Sequence, residues 1–354
     1  MQSLDFPLFM GSARKRRKYL RHAAHPSMIE EDINNMLGNM ACGSHRVQSL
    51  PDGSETTQRQ GASMTSDVTL YDRDPKYIPR VAAVHDMCGY GKCSLTAAIP
   101  ILSAAGCDVC PVPTALFSAH TMYKDYTFHD TTDMLGAYLD AWRKEEVELD
   151  GIYSGFLGSA EQVDIIRRLY SEYPDALRLV DPVMGDAGKM YPTYTQELCD
   201  AMGRLADGAD VLMPNLTEAS ILVGRDYPGQ NLDDDQVAEW LDLLLGLGAK
   251  NVVLKGIDRN DGKLRNYVAS AASGAEGKVE LTHEKHPFMI HGTGDAFASA
   301  LCGAVLAGKG LAESAHIAGE FVRSAMNSTR QQPHYEQRGV SFELNLGELT
   351  GLVG

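Results

Sequence analysis

The residues best suited to chemistry stand in His291-Gly292-Thr293-Gly294-Asp295, directly before a run of small residues, Ala296–Ala307, that reads as a helix. Two glycines let the backbone turn tightly and aim successive N–H groups outward, and the helix behind them adds the positive end of its dipole. The product is a hole for an anion. Asp295 falls in the first helical turn, where a carboxylate also simply favours helix initiation, and residue type alone does not separate the two roles. Beside a phosphate-binding turn, such a carboxylate suits a base that takes a hydroxyl proton as a phosphoryl group arrives.

Two further loops carry acidic or amide side chains. Asp181-Pro182-Val183-Met184-Gly185-Asp186 follows the apolar run Leu177–Val180. Its two carboxylates suit a hydrated Mg²⁺, which needs only one or two carboxylates plus phosphate oxygens, although the same residue types also build ordinary turns. Pro214-Asn215-Leu216-Thr217-Glu218 follows Val211–Met213, and Asn215 with Glu218 three later is a capping-box pattern with a purely structural use. Taken together with the glycine turn, these loops point to one crevice.

Asp86-Met87-Cys88-Gly89-Tyr90-Gly91-Lys92-Cys93-Ser94 invites a nucleotide-loop reading and fails it. A dinucleotide fingerprint needs Gly where Ser94 stands, and a P-loop ending at Gly91-Lys92 needs Gly at 86 and Ser or Thr at 93. What remains is a flexible substrate-contacting loop with Asp86 as its polar handle. No G-x-S-x-G pentapeptide occurs, which removes the serine-hydrolase class. Cys88, Cys93, Cys107 and Cys110 superficially suggest zinc, but Cys107 and Cys110 lie around an expected buried strand, where free cysteine packs as a small hydrophobe. His283, His286 and His291 read as surface or turn histidines.

The elements that position these loops follow from periodicity. Val81–Val84, Val109–Val112, Gly151–Ser154, Leu177–Val180, Val211–Met213 and Asn251–Lys255 are apolar runs of strand length. Between them, Ser94–Ala105, Asp130–Lys144, Ser159–Tyr173, Tyr194–Ala206, Thr217–Gly224 and Asp233–Gly246 have helical patterns. This alternation predicts an α/β fold: three layers, with helices on both faces of a mostly parallel sheet. Ligands of such sheets bind outside the carboxyl ends of the strands, which is where the acidic loops fall.

Composition narrows the setting. The chain has 354 residues and a net charge of −15, of which residues 79–354 carry 22 basic against 38 acidic side chains. An acidic body repels nucleic-acid backbones, so nucleic acid is not an expected partner. No apolar run reaches about 18 residues, so no membrane span is expected. Seven cysteines without a secretory apolar region after the basic run Arg14–Lys18 place the chain in a reducing cytoplasm. Residues 1–78 lack a sustained apolar period and read as a disordered leader, with one short amphipathic helix near Ser27–Leu37 and a basic run open to import or anionic-surface binding. The folded body is expected over 79–354.

The signals at 181–186, 214–218 and 291–295 together resemble the ribokinase-like superfamily of small-molecule kinases. The loop His85–Ser94, Phe117-Ser118-Ala119-His120-Thr121 and Tyr153-Ser154-Gly155-Phe156 are most similar to its vitamin B6 kinase branch. The resemblance covers about residues 80–345. It implies that Asp295 is the base toward a substrate hydroxymethyl group and that Gly292, Thr293 and Gly294 form the anion hole. It further implies that Asp181, Asp186, Asn215 and Glu218 organise Mg²⁺ and the ATP phosphates, with Asp186 and Glu218 on the metal. Lys255 and Gly256 would lie beside the nucleotide. Asp86, His120, Thr121 and Phe156 would line the substrate pocket, and the assembly would be a homodimer.

Two positions depart from that pattern. Met213 replaces a common Thr, and His85-Asp86 stands where pyridoxal kinases commonly carry Ser. A carboxylate at 86 can pair with a substrate ammonium, so pyridoxamine is the expected vitamer over pyridoxal. Asp86 followed by glycines also resembles the first loop of hydroxymethylpyrimidine kinases, the alternative enzyme. A non-catalytic ligand-binding protein on the same fold is the alternative outside enzymes.

Overall fold

A computed structural model describes residues 67–273 and 277–354. The basic run and the short helix expected near Ser27–Leu37 lie outside the described residues.

Nine strands form one sheet: β1 (Arg80–Cys88), β2 (Asp108–Phe117), β3 (Phe128–Asp130), β4 (Gly151–Ser154), β5 (Leu177–Val180), β8 (Val211–Leu212), β9 (Asn251–Asp258), β10 (Lys263–Ser270) and β11 (Val279–Glu284). Their order is β11-β10-β9-β8-β5-β4-β1-β2-β3, and β6 (Gly185–Asp186) pairs with β7 (Lys189–Met190) as a separate hairpin. The pairs among β2, β1, β4, β5, β8 and β9 are parallel, while β3, β10 and β11 add antiparallel edges. The expected three-layer α/β architecture is present. The antiparallel edges leave no clear mark in the sequence, because β10 has polar residues on both of its sides and β11 alternates, so neither has the continuous apolar run of the central strands.

Helices cover both faces. On one lie α2 (Thr132–Lys144), α3 (Ala160–Glu172), α4 (Gln196–Gly203), α5 (Leu216–Val223) and α6 (Asp234–Leu245). On the other lie α1 (Leu95–Ala104), α7 (Thr293–Leu306), α8 (Leu311–Thr329) and, after a short α9 (Tyr335–Arg338), α10 (Leu346–Val353). Strand β1 shows why both faces must be covered: Val81 and Ala83 enter one core and Ala82 and Val84 the other. Helix α7 is buried from Ala296 to Leu306. Its small residues let neighbours approach closely, and a Cβ on Gly303 would lie 2.4 Å from the Ala105 methyl.

The folded body starts earlier than the expected boundary at 79. Asp67 caps α8, its two carboxylate oxygens accepting from the N–H groups of Ala312 at 2.8 Å and Glu313 at 2.9 Å. The Tyr71 hydroxyl donates to Asp150 at 2.8 Å. Local polarity hid this strap, because its anchors are long-range hydrogen bonds and not an apolar period. Among the described residues no helix is long and apolar enough to cross a membrane.

Candidate active site

Strand register carries the acidic loops to one edge of the sheet. Asp181 follows β5 and its N–H donates to Ser154 O at 2.9 Å, while Met213 N–H donates to Val180 O at 2.8 Å. Asn215 bridges to Lys255 in parallel fashion, and Lys255 N–H donates to Pro214 O at 2.9 Å. Neighbouring strands are about 4.8 Å apart, so Asp181, Asn215 and Lys255 line up across β5, β8 and β9. The Lys255 ammonium crosses the gap and donates to Asp181 Oδ1 at 2.6 Å, both side chains being buried.

That pair sits among more carboxylates than it neutralises. Burial pushes Asp181 up, against the opposing charge of Lys255. Burial also works against the Lys255 ammonium, but Asp181 and Glu218 outweigh it and keep the group charged. Glu218 is pushed to about 8 by burial, with Asp181 adding to the effect and Lys255 and the N–H groups of Asn215 and Met184 opposing it. Its carboxylate is fixed by the capping box foreseen in the sequence: Asn215 N–H donates to Glu218 Oε2 at 2.7 Å, and Glu218 N–H to Asn215 Oδ1 at 2.9 Å. The Asn215 amide then donates to Gly185 O at 2.9 Å and pins the β6–β7 hairpin beside α5.

Asp186 is exposed on that hairpin. Tyr191, just beyond it, keeps its hydroxyl proton because of burial and the surrounding charges of Glu218, Asp186, Asp295 and Asp181. Those four carboxylates therefore form one group within electrostatic reach of its phenol. Nothing in the sequence marked Tyr191 as part of it.

Asp295 lies in the first turn of α7, whose N-cap Gly292 has φ 83°. Only glycine fits there, since a Cβ would come 2.1 Å from Lys92 O. Gly294 faces open space, and Thr293 turns its hydroxyl back to donate to Ile290 O at 3.1 Å, so the donors this turn could offer an anion are backbone groups. Burial raises the Asp295 carboxyl to about 7; the Ser94 N–H opposes this, and Asp181 and Asp86 add to it.

The residues expected on the substrate side divide. Asp86 is buried and pushed to about 6, against the opposing hydrogen bond from the Ser94 hydroxyl. Phe156 packs with Phe117 and Tyr194 at centroid distances of 5.9 and 5.6 Å, forming an aromatic wall. His120 has both ring nitrogens engaged: Nδ1 accepts from Met122 N–H at 3.2 Å, so Nε2–H donates to Gln337 O at 2.8 Å. It clamps the chain near α9. Thr121 is exposed on the following turn, apart from the buried group. Gly256, with φ 75°, leaves open space beside Lys255, and its N–H donates to Asn266 Oδ1 at 3.0 Å. Lys92, passed over in the sequence, donates to Ser341 Oγ at 3.0 Å and pairs with Glu343 at 2.8 Å, tying the first loop to the C-terminal segment.

The remaining candidates do not converge. Cys88, Cys93, Cys107, Cys110, Cys199 and Cys302 are free thiols, and no cluster of three or more His, Cys, Asp or Glu is assembled for a metal among the described residues. His283 departs from its expected surface position: it is buried on β11, where Nδ1 meets Glu320 at 2.9 Å, because α8 covers that strand. The hard-oxygen set of Asp186 and Glu218 fits Mg²⁺ only in its usual hydrated form, with a nucleotide supplying the other oxygens.

A glycine-built helix N-terminus with a half-buried acid, set across the carboxyl ends of a doubly covered parallel sheet, defines a ribokinase-like small-molecule kinase. A family profile described as phosphomethylpyrimidine kinase matches residues 93–339. The pyridoxal kinase of Pasteurella multocida is 31% identical over 265 residues, covering 71% of this chain and 89% of that one. The hydroxymethylpyrimidine/phosphomethylpyrimidine kinase of Bacillus subtilis is 27% identical over 203 residues, covering 56% and 71%. A Bacteroides thetaiotaomicron structure described as a phosphomethylpyrimidine kinase, in a crystal form with pyridoxal, is 34% identical with a TM-score of 0.73, covering 77% and 96%. The chain belongs to the phosphomethylpyrimidine kinase family, a ribokinase-like family with pyridoxal kinases among its relatives.

Proposed function

We propose that this protein uses ATP to phosphorylate the hydroxymethyl group of a vitamin B6 vitamer, pyridoxamine in preference to pyridoxal, giving the 5′-phosphate. The observation that carries this reading is Asp295, a carboxyl near neutral pKa at the mouth of a backbone anion hole. A base with that affinity takes the hydroxyl proton while the N–H groups behind Gly292 face the transferring phosphoryl. Lys255 keeps its charge beside Asp181 and faces the anionic nucleotide tail across Gly256. Asp186 and Glu218 would hold Mg²⁺, which supplies charge neutralisation on the phosphates. Asp86 faces the vitamer's amine, and Phe156 with Phe117 gives its flat ring an apolar surface. The free thiols support a cytoplasmic location, and the family resemblance supports a homodimer, which sedimentation equilibrium checks.

The hydroxymethylpyrimidine reading is favoured by the family description and the Bacillus relative. An ADP-release assay over pyridoxamine, pyridoxal, pyridoxine and hydroxymethylpyrimidine separates the two. The vitamer reading expects the highest kcat/KM with pyridoxamine; turnover confined to the pyrimidine overturns it, and nucleotide binding without any turnover favours a non-catalytic protein.

A further inference from the structure

A cavity of about 500 Å³ lies between three segments that are distant in sequence. Tyr90 and Lys92 reach it from the loop after β1, Tyr123 from the turn after His120, and His334, Gln337 and Arg338 from the segment around α9. No carboxylate lines it, although the chain as a whole carries a net charge of −15. Lys92 is already engaged by Ser341 and Glu343. Arg338 is not: its guanidinium sits over the Tyr90 ring, 4.3 Å from the centroid, and forms no ion pair among the described residues. Contact with a ring face uses none of its N–H donors. The Tyr123 ring is fixed between Tyr90 at 5.2 Å and His120 at 4.6 Å, yet its hydroxyl is buried without a hydrogen-bond partner. A buried hydroxyl left unpaired is costly, so this one calls for an acceptor.

Unspent donors and the lack of acids suit an anion. The volume is far larger than a lone phosphate needs and falls in the range of small-molecule sites, and two tyrosines suit a flat ring. The cavity is also tied to the catalytic turn. The His120 ring, packed on Tyr123, meets the His291 ring at 5.7 Å, and His291 O accepts from Val340 N–H at 3.0 Å, two residues after Arg338. His291 directly precedes Gly292 of the anion hole. We propose that this cavity is a second binding site, for a flat heteroaromatic ring carrying a phosphate, and that it takes the phosphorylated product as this leaves the anion hole, with Arg338 and the Tyr123 hydroxyl on the phosphate. The product as occupant rests on the proposed function; ADP is the other molecule of the same chemistry in the reaction. Product held there leaves the reactive pocket open, so it inhibits without competing with substrate.

The test titrates the full chain, Arg338→Gln and Tyr123→Phe with pyridoxamine 5′-phosphate, ADP and inorganic phosphate by calorimetry, and measures initial rates with pyridoxamine 5′-phosphate added. The wild type should bind two molecules of pyridoxamine 5′-phosphate and one of ADP, and saturating pyridoxamine should leave part of the inhibition in place. Each variant should weaken the second site about tenfold, the size of one hydrogen bond to a charged group, with product-free kcat and KM within about twofold of wild type. Tyr123→Phe should melt no lower than the wild type, because the fold leaves that hydroxyl unpaired. A single site for pyridoxamine 5′-phosphate, inhibition that pyridoxamine relieves completely, unchanged affinity in both variants, or inorganic phosphate binding as tightly as the ring phosphate would overturn the proposal. Weakening confined to ADP in Arg338→Gln overturns the product as occupant and assigns the cavity to the nucleotide. If the wild type turns over hydroxymethylpyrimidine alone, the vitamer reading fails; the phosphate of that pyrimidine then becomes the probe, and Arg338→Gln still decides the role of the cavity.

Discussion

The two ends of the parallel strands treat their carboxylates in opposite ways. At the amino ends, each acid is saturated with donors: Asp150 accepts from the Tyr71 and Tyr77 hydroxyls at 2.8 and 2.9 Å and from Arg80 N–H at 2.7 Å. Asp210 accepts from Arg178 N–H at 2.8 Å and from the Lys250 ammonium at 2.7 Å. At the carboxyl ends, Asp86, Asp181 and Glu218 are buried and Asp295 is half-buried, with one ammonium, Lys255, among them. Acids that only hold a fold together are supplied with partners, whereas acids left short of partners hold energy that a ligand or a proton can release.

The comparison breaks most sharply at Asp295. Asp295→Ala should lower kcat by about 10²–10⁴-fold, the range for a general base, while ATP still binds by calorimetry. A kcat within a few-fold of wild type would remove the carboxyl-end acids from the chemistry. The two lysines come next. Lys255→Met leaves Asp181 buried and unpaired and should cost about 3–5 kcal/mol in urea denaturation. Lys250→Met, at the exposed amino-end pair, should cost about 0–1 kcal/mol. Equal losses would erase the distinction.

A smaller effect is expected from Asp150→Ala, which strips three donors of their acceptor at the strap. It should cost about 1–3 kcal/mol and leave kcat/KM unchanged.

The pH dependence sharpens the same contrast. Burial raises Asp86, Asp295 and Glu218 to about 6, 7 and 8. The folded chain then holds protons that the unfolded chain has released, so stability falls as pH rises through 6 to 8. The melting temperature of the ligand-free protein should decline across that window, and Mg²⁺ with nucleotide should flatten the decline. Activity runs the other way, because Asp295 must be ionised: kcat/KM should fall as pH drops below about 7. A melting temperature that rises from pH 6 to 8 would refute the assignment of excess acid to the carboxyl ends.

Much of this site was legible locally. The glycine turn before Asp295, the Pro/Gly loop from Asp181 to Asp186 and the Asn215–Glu218 capping box each occupy a few consecutive residues, and each took the form that its residue types favour. Ser94 announced itself only as a mismatch, a serine where a nucleotide-loop pattern needs glycine, and its backbone adopts a glycine-like conformation all the same. His283 illustrates the opposite failure. A histidine among polar neighbours reads as exposed until α8, more than thirty residues on, covers it through Glu320.

What the chain determines without tertiary context is periodicity and local backbone chemistry: apolar runs of strand length, helical faces, caps and tight turns, all set by residues within a turn or two of one another. The fold alone decides which loops become neighbours. Lys255 meets Asp181 across 74 positions of sequence, and Asp67 caps a helix 245 positions away. Pairing over such distances depends on sheet order and register, which arise from packing the whole core. Burial follows from that packing, and it is burial that turns ordinary carboxyl groups into ones that hold their protons near neutral pH.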